Sequence, residues 1–254
     1  MPSNYAPIAA DAGIAALTFD FSGFGESEGQ PREVESARRK AEDIRNAALF
    51  LRARKDVDPD QVGVLAICAS AGYTALAALE EPALKSVAMV APWLHDAVIA
   101  RETYGGEAGV ADRLAKARAA RDHYVTTGTV DYVPAASNVN PTAAMYWTGD
   151  ALDYYLNPNR GAIPQWGGRF AVMAWKEWFE FDPTTLGDRI TAPVRIVTSE
   201  QSATPGGAKK FAAGLRAPHD MIWTTGTQFD FYDNPSTVRF AAEHAIEHFK
   251  KTLS

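Results

Sequence analysis

Val62-Gly63-Val64-Leu65-Ala66-Ile67-Cys68-Ala69-Ser70-Ala71-Gly72 decides how this chain is read. An apolar, β-branched run ends at Ile67, and a helical pattern rich in Ala and Leu occupies 72–79. A strand that is apolar nearly throughout is covered on both faces, as in parallel sheets. Only small residues surround the one thiol at the corner: Ala66 stands two before it and Ser70 two after. This is the pattern of a nucleophile elbow, whose turn is too tight for bulk at those two positions. Two registers compete, one centred on Cys68 and one on Ser70. Because the strand ends at Ile67, Cys68 takes the corner and Ser70 falls inside the helix. The helix starting near Ala69 points its N–H groups and positive end at the thiol, which favours a thiolate and a developing oxyanion. The Ala69 N–H is the candidate oxyanion donor. The competing reading of a lone cysteine is a small buried apolar residue.

Outward from this corner, β-branched runs alternate with helical patterns, the signature of a parallel sheet wrapped by helices. Strands are expected over 14–21, 61–67, 84–91, 194–198 and 220–225. A Gly-rich turn, Ser22-Gly23-Phe24-Gly25-Glu26-Ser27, follows the first. Helices are expected over 36–54, 72–79 and 207–215, and a last helix opens at Asn234-Pro235, an N-cap with proline in the first turn. Its apolar face is Val238, Ala241, Ala245 and Phe249. Between residues 96 and 182 the pattern changes to two helices, near 111–124 and 142–156, in a stretch dense in Trp and Tyr. The expected architecture is an α/β fold with a mostly parallel, doubly wound sheet. Residues 1–95 and 183–254 form its core, and 96–182 an inserted helical cap.

Composition narrows the functional classes. The 254 residues are 46% hydrophobic and 22% charged, with a net charge of −6, an ordinary globular balance. That charge argues against nucleic acid or an anionic membrane as partner. The single cysteine permits no intrachain disulfide, which fits a reducing, cytoplasmic setting. No secretory pattern opens the chain and no apolar run is long enough to span a bilayer. A small-molecule substrate is the expected partner, with no cofactor and no metal, and a homodimer is the assembly left open.

Three stretches carry a resemblance. They are Phe19-Asp20-Phe21-Ser22-Gly23-Phe24-Gly25-Glu26-Ser27, the elbow at 66–72, and Gly226-Thr227-Gln228-Phe229-Asp230-Phe231-Tyr232-Asp233 before the last helix. With them the chain resembles the α/β-hydrolases related to dienelactone hydrolase and to the polyketide-transferase-like hydrolases. The resemblance implies hydrolysis or acyl transfer at a small ester, lactone or thioester through a Cys or Ser nucleophile, an acid and a histidine. Carried onto this sequence, only the nucleophile, Cys68, is retained. Gln201 stands where the acid would be, with Glu200 adjacent as a substitute, and Gln228 stands where the histidine would be. Glutamine cannot shuttle a proton, although a thiol suffers less from that loss than a hydroxyl. The resemblance also implies strands ahead of residue 14 and a loop supplying a second oxyanion N–H, so the sheet edge at 14–21 is expected to be unpaired. The alternative is a catalytically degenerate hydrolase fold serving as a small-molecule binding or scaffold protein.

Among the histidines, His95 is the candidate replacement base. Pro92-Trp93-Leu94-His95-Asp96 follows the third strand at its C-terminal end, the edge where open parallel sheets bind ligands. Its alternative is a loop histidine packed under the cap. His244 and His248 have metal-ligand spacing without a third ligand, and read as a solvated face. Tyr104, Trp166, Trp175 and Trp178 either line an apolar substrate pocket or form the cap's own core. Asp230 and Asp233 are either substrate-facing carboxylates or, for Asp233, a helix cap.

Overall fold

In chain order, α1 (Pro2–Asp11) and α2 (Ala37–Arg52) lead to β1 (Gly63–Ile67), α3 (Ser70–Glu80) and β2 (Ser86–Val90). Helices α4 (Ala97–Thr103), α5 (Gly106–Thr127), α6 (Asp153–Leu156) and α7 (Trp175–Glu180) follow. Next come β3 (Val194–Ser199), α8 (Pro205–Gly214), β4 (His219–Thr224), α9 (Asp230–Asp233) and α10 (Pro235–Thr252). The structure is a computed structural model and describes residues 1–253. Met1–Thr18, Arg38–Ile99 and the chain from Asp182 onward make one compact unit; Phe19–Ala37 and Ala100–Phe181 make another.

The first unit is built on a parallel sheet in the order β1-β2-β3-β4. Parallel strands need long crossovers and bury both faces, and β2 is buried at every residue. Register aligns Leu65, Ala88, Arg195 and Asp220 in one row across the sheet. On that face Ala88 packs against Ala245 and Phe249 of α10. The apolar stripe of α10 falls as its 3.6-residue period requires, with Val238, Ala241, Ala245 and Phe249 buried. Its start is fixed by Asn234, whose side chain accepts from the N–H groups of Ser236 and Thr237, with Pro235 in the first turn.

The same face holds a charge among apolar neighbours. Arg195 is buried, and its guanidinium donates to both carboxylate oxygens of Asp220 at 2.9 and 2.7 Å, to Glu247 at 2.8 Å and to the His244 carbonyl at 3.0 Å. A planar fork matched to a carboxylate is the arrangement in which a buried cation is tolerated. Those hydrogen bonds hold the Asp220 and Glu247 carboxyls below the usual carboxylate range and raise the guanidinium further. His248, also buried, lies against the Pro193 carbonyl at 3.3 Å, and burial pushes its imidazole down.

Two expectations about elements are corrected. Residues 14–21 form no strand, and 15–20 are exposed, including Leu17 and Phe19. A strand is defined by its ladder, and this segment is in none of the sheets, so the parallel sheet has four strands among the described residues rather than five. Residues 142–156 do not form a helix either. Met145–Tyr146 pairs with Ala136–Ser137, Gly149 turns through φ +72°, and only α6 is helical. The helix read over 111–124 lies within α5, which extends beyond it at both ends.

The second unit has its own core. Ala100, Tyr104, Ala117, Ala144 and Trp175 are buried together, with Phe170, Trp178 and Phe179 against them. Tyr132–Pro134 pairs antiparallel with Arg169–Ala171. The Gly-rich turn belongs to this unit through the segment that follows it: Ala171 N–H donates to the Glu33 carbonyl at 3.0 Å and Tyr132 OH to the Arg32 carbonyl at 3.1 Å.

Candidate active site

The strand-to-helix corner is formed by Cys68, which adopts φ +59° between β1 and α3. An L-residue in this left-handed region costs about 1–2 kcal/mol, so something must hold it there. Three backbone hydrogen bonds do so. Cys68 N–H donates to the Val90 carbonyl at 3.1 Å, and the Cys68 carbonyl accepts from Trp93 N–H at 3.0 Å and Ala71 N–H at 3.1 Å. The residue is half-buried. Ser70, the rival of Cys68 in the sequence, lies in the first turn of α3. Its hydroxyl donates to the Ile67 carbonyl and accepts from the Ile67 N–H, each at 2.8 Å, so it is spent on the end of the strand. Ala69 is the N-cap of α3. The opening N–H groups of a helix have no partner within the helix.

The segment after β2 is pinned on every side. Ala91, at φ +39°, donates to the Val197 carbonyl at 2.8 Å. Thr204 Oγ1 donates to the Pro92 carbonyl and accepts from Leu94 N–H, each at 3.1 Å. A Cβ on Gly207 would lie 1.7 Å from the Leu94 carbonyl oxygen, so only glycine lets α8 approach this closely. His95 is 2% exposed. Its Nδ1 accepts from Trp93 Nε1–H at 3.1 Å, which puts the proton of the neutral ring on Nε2. Asp96 does not orient this imidazole. It caps α4 by accepting from Val98 and Ile99 N–H and pairs with Lys210 at 2.6 Å. The Lys210 ammonium and these amides hold its carboxyl below the usual range.

Gln228 is 7% exposed and every atom of its amide is engaged. Oε1 accepts from Ala203 N–H at 2.9 Å; Nε2 donates to the Ala91 carbonyl at 2.8 Å and to Tyr232 OH at 2.9 Å. It ties together the chain beyond β2, beyond β3 and in α9. Glu200 is exposed and paired with Lys209 at 2.7 Å, and Gln201 is exposed beside it. Asp230 accepts from the Thr227 amide and hydroxyl. Within this unit Cys68, Ala69, Trp93, His95 and Gln228 all lie beyond the C-terminal ends of strands; Trp93 bonds both Cys68 and His95, Gln228 bonds Ala91, and Glu200 is exposed. His219 begins β4 and His248 lies against Pro193, just before β3, so both belong to the opposite edge.

In the second unit, Tyr104 and Trp175 are core residues 5.1 Å apart, with Phe179 stacked on Trp175 at 5.2 Å and the Arg113 guanidinium over both Tyr104 and Trp175. Trp166, half-buried, lies 5.4 Å from Tyr155.

Superposition on solved structures decides the architecture. The chain matches the hypothetical protein PA2218 from Pseudomonas aeruginosa at a TM-score of 0.84, with 21% identity over 98% of this chain and 79% of that one. It matches the α/β-hydrolase GrgF from Penicillium sp. sh18 at 0.79, with 20% identity over 98% and 84%. This chain has the α/β-hydrolase fold. A strand, a residue at positive φ and a helix N-terminus in succession have the strand-turn-helix geometry of a nucleophile elbow. No family model matches the chain. Among curated relatives, the uncharacterized protein YcjY of Escherichia coli is 26% identical over 98% of this chain and 83% of its own length. Shorter matches reach thiohydrolase aneE of Aspergillus aculeatus, 39% identical over 26% of this chain and 20% of that one, and polyketide transferase claH of Penicillium crustosum, 37% identical over 30% and 26%. These relatives and the fold support hydrolase or acyltransferase activity in general.

Sequence reasoning overlooked Trp93, whose indole sets the His95 tautomer, and Thr204 and Tyr232, which complete the network. Trp93 stood two residues from His95, but a spacing of two says nothing about which ring nitrogen is approached. Thr204 and Tyr232 left no signal at all, because their partners are more than a hundred residues away or depend on how a loop closes.

Proposed function

We propose that this α/β-hydrolase transfers acyl groups through Cys68, which attacks the carbonyl carbon of a small ester, lactone or thioester. The observation that carries the proposal is the φ of +59° at Cys68, held by Val90, Trp93 and Ala71 at the N-terminus of α3. Strain of this kind persists only where the surrounding structure enforces it, and at a strand-to-helix turn it presents the side chain above the sheet. The end of an 11-residue helix favours negative charge on sulfur, and the Ala69 N–H serves the oxyanion as it forms. The single thiol is in keeping with a cytoplasmic setting, and no described helix is long and apolar enough to cross a membrane. The proposed partner is a small molecule.

The geometry restricts the other roles. His95 Nδ1 accepts from Trp93, Gln228 is bonded to Ala91, Ala203 and Tyr232, and Glu200 is paired with Lys209. The test is intact-mass spectrometry after mixing the protein with an acyl-N-acetylcysteamine thioester. A one-acyl adduct that maps to Cys68 and disappears in Cys68→Ala is expected; no adduct, or one that survives the substitution, refutes the proposal. The commitment of Gln228 and Glu200 also favours a second reading, a binding protein without turnover, which predicts ligand binding undiminished in Cys68→Ala and no adduct.

A further inference from the structure

β4 is the last strand of its sheet, and among the described residues β3 is its one ladder partner. The Val194 N–H donates to the Pro218 carbonyl at 3.0 Å, which fixes the phase of that ladder. Main-chain groups alternate sides along a strand. Asp220, Ile222 and Thr224 therefore face β3, while His219, Met221 and Trp223 turn their N–H and carbonyl groups outward. Among the described residues no hydrogen bond engages those outward main-chain groups.

Proteins blunt an open strand with proline, a bulge, lysine or a covering segment. β4 contains no proline and no lysine, and its register with β3 is unbroken from His219 to Thr224. His219 is exposed, and so is Trp223, at 38%. The acidic side chain of the strand, Asp220, is held by the Arg195 fork at 2.9 and 2.7 Å. The strand is thus a template for another strand, and its sequence says which. Outward residues must meet outward residues, so an antiparallel register moves only in steps of two. Two β4 strands centred on Met221 satisfy every outward N–H and carbonyl on both sides. His219 then lies opposite the partner's Trp223, Met221 opposite the partner's Met221, and Asp220 opposite the partner's Ile222. No like charges are opposed, and a histidine meets an indole on the face where Lys209 lies 4.9 Å over the Trp223 ring. A step of two in either direction sets an outward residue of each strand against one outside β4.

We infer that β4 is the interface of a homodimer: two copies of this chain join side by side, antiparallel, about a two-fold axis at Met221. The contact is isologous, so it closes at two copies. Antiparallel pairing reverses the strands, so the sheet ends that carry Cys68 open in opposite directions in the two copies. The inference is independent of the chemistry proposed for Cys68.

Sedimentation velocity on the full chain at micromolar concentration tests it, and the expected species has twice the 27.5 kDa mass of one chain. Met221→Pro removes an outward N–H and leaves every bond to β3, a placement that edge strands accept. It should weaken association by about tenfold or more, with the far-ultraviolet circular dichroism unchanged. The register is read separately with Met221→Cys and His219→Cys, each oxidised by copper phenanthroline and mapped by peptide mass spectrometry. Across the axis the two 221 positions stand about 5.5 Å apart, within disulfide reach, whereas the two 219 positions are about 14 Å out of step along the strands. Met221→Cys should therefore cross-link to its own equivalent and His219→Cys should not, and this pattern decides the matter if Met221→Pro fails to fold. A monomer throughout the micromolar range, a dimer undiminished in folded Met221→Pro, or cross-linking of His219→Cys as readily as Met221→Cys overturns the inference.

Discussion

Replacing Cys68 by alanine and, separately, by glycine isolates the strain at the corner. Both variants lose the sulfur, so the difference between them reports the backbone alone. At φ +59° a residue with a Cβ carries about 1–2 kcal/mol of strain that glycine does not. Against this, glycine gives the unfolded chain extra freedom worth about 0.5–1 kcal/mol relative to alanine. The balance leaves Cys68→Gly more stable than Cys68→Ala by about 0.5–1 kcal/mol, whereas at an ordinary backbone position glycine is the less stable by a similar amount. Urea denaturation followed by far-ultraviolet circular dichroism measures the gap as a shift in midpoint at constant slope. A glycine variant less stable than the alanine variant would refute the argument that the corner is strained.

The other predictions concern the network and the charges around it. Gln228→Leu deprives Ala203 N–H, the Ala91 carbonyl and Tyr232 OH of their partner; at about 1 kcal/mol each it should cost about 3 kcal/mol in urea denaturation. The Asp220 carboxyl is lowered by Arg195, so its contribution to stability is complete above about pH 4 and is lost as pH falls through its lowered folded value. Asp220→Asn should therefore be less stable at neutrality and show a shallower acid limb in denaturation midpoints. Burial lowers the imidazole of His248, so the unfolded chain takes up the proton first and stability falls as pH drops through about 6.5. His248→Gln should flatten the change in midpoint between about pH 7 and pH 5.

Periodicity was a good guide wherever one face of an element meets the core. The stripe of α10, the buried β2 and the small residues at the elbow all stood in the sequence because each reflects local geometry. What was illegible depended on neighbours. Residues 14–21 have the composition of a strand, but strandhood lies in the ladder, and composition does not reveal whether a partner is present. Residues 142–156 were expected to be helical, yet Gly149 adopts a positive φ and Met145–Tyr146 pairs with Ala136–Ser137. At the candidate site, the sequence located Cys68, His95 and Gln228 but not their hydrogen bonds. Those bonds join His95 to the Trp93 indole, and Gln228 to Ala91, Ala203 and Tyr232.

The hydroxyl of Ser70 has a consequence beyond its own helix. Among the described residues β1 pairs in the sheet with β2 alone, and its alternate amides, Ile67 among them, turn away from that partner. By bonding both the N–H and the carbonyl of Ile67, Ser70 withdraws the last rung of that margin from any incoming chain. A peptide adding itself along this side would have to halt at Leu65, short of the sulfur. A single oxygen atom thus closes the rung of β1 next to Cys68 to β-type association.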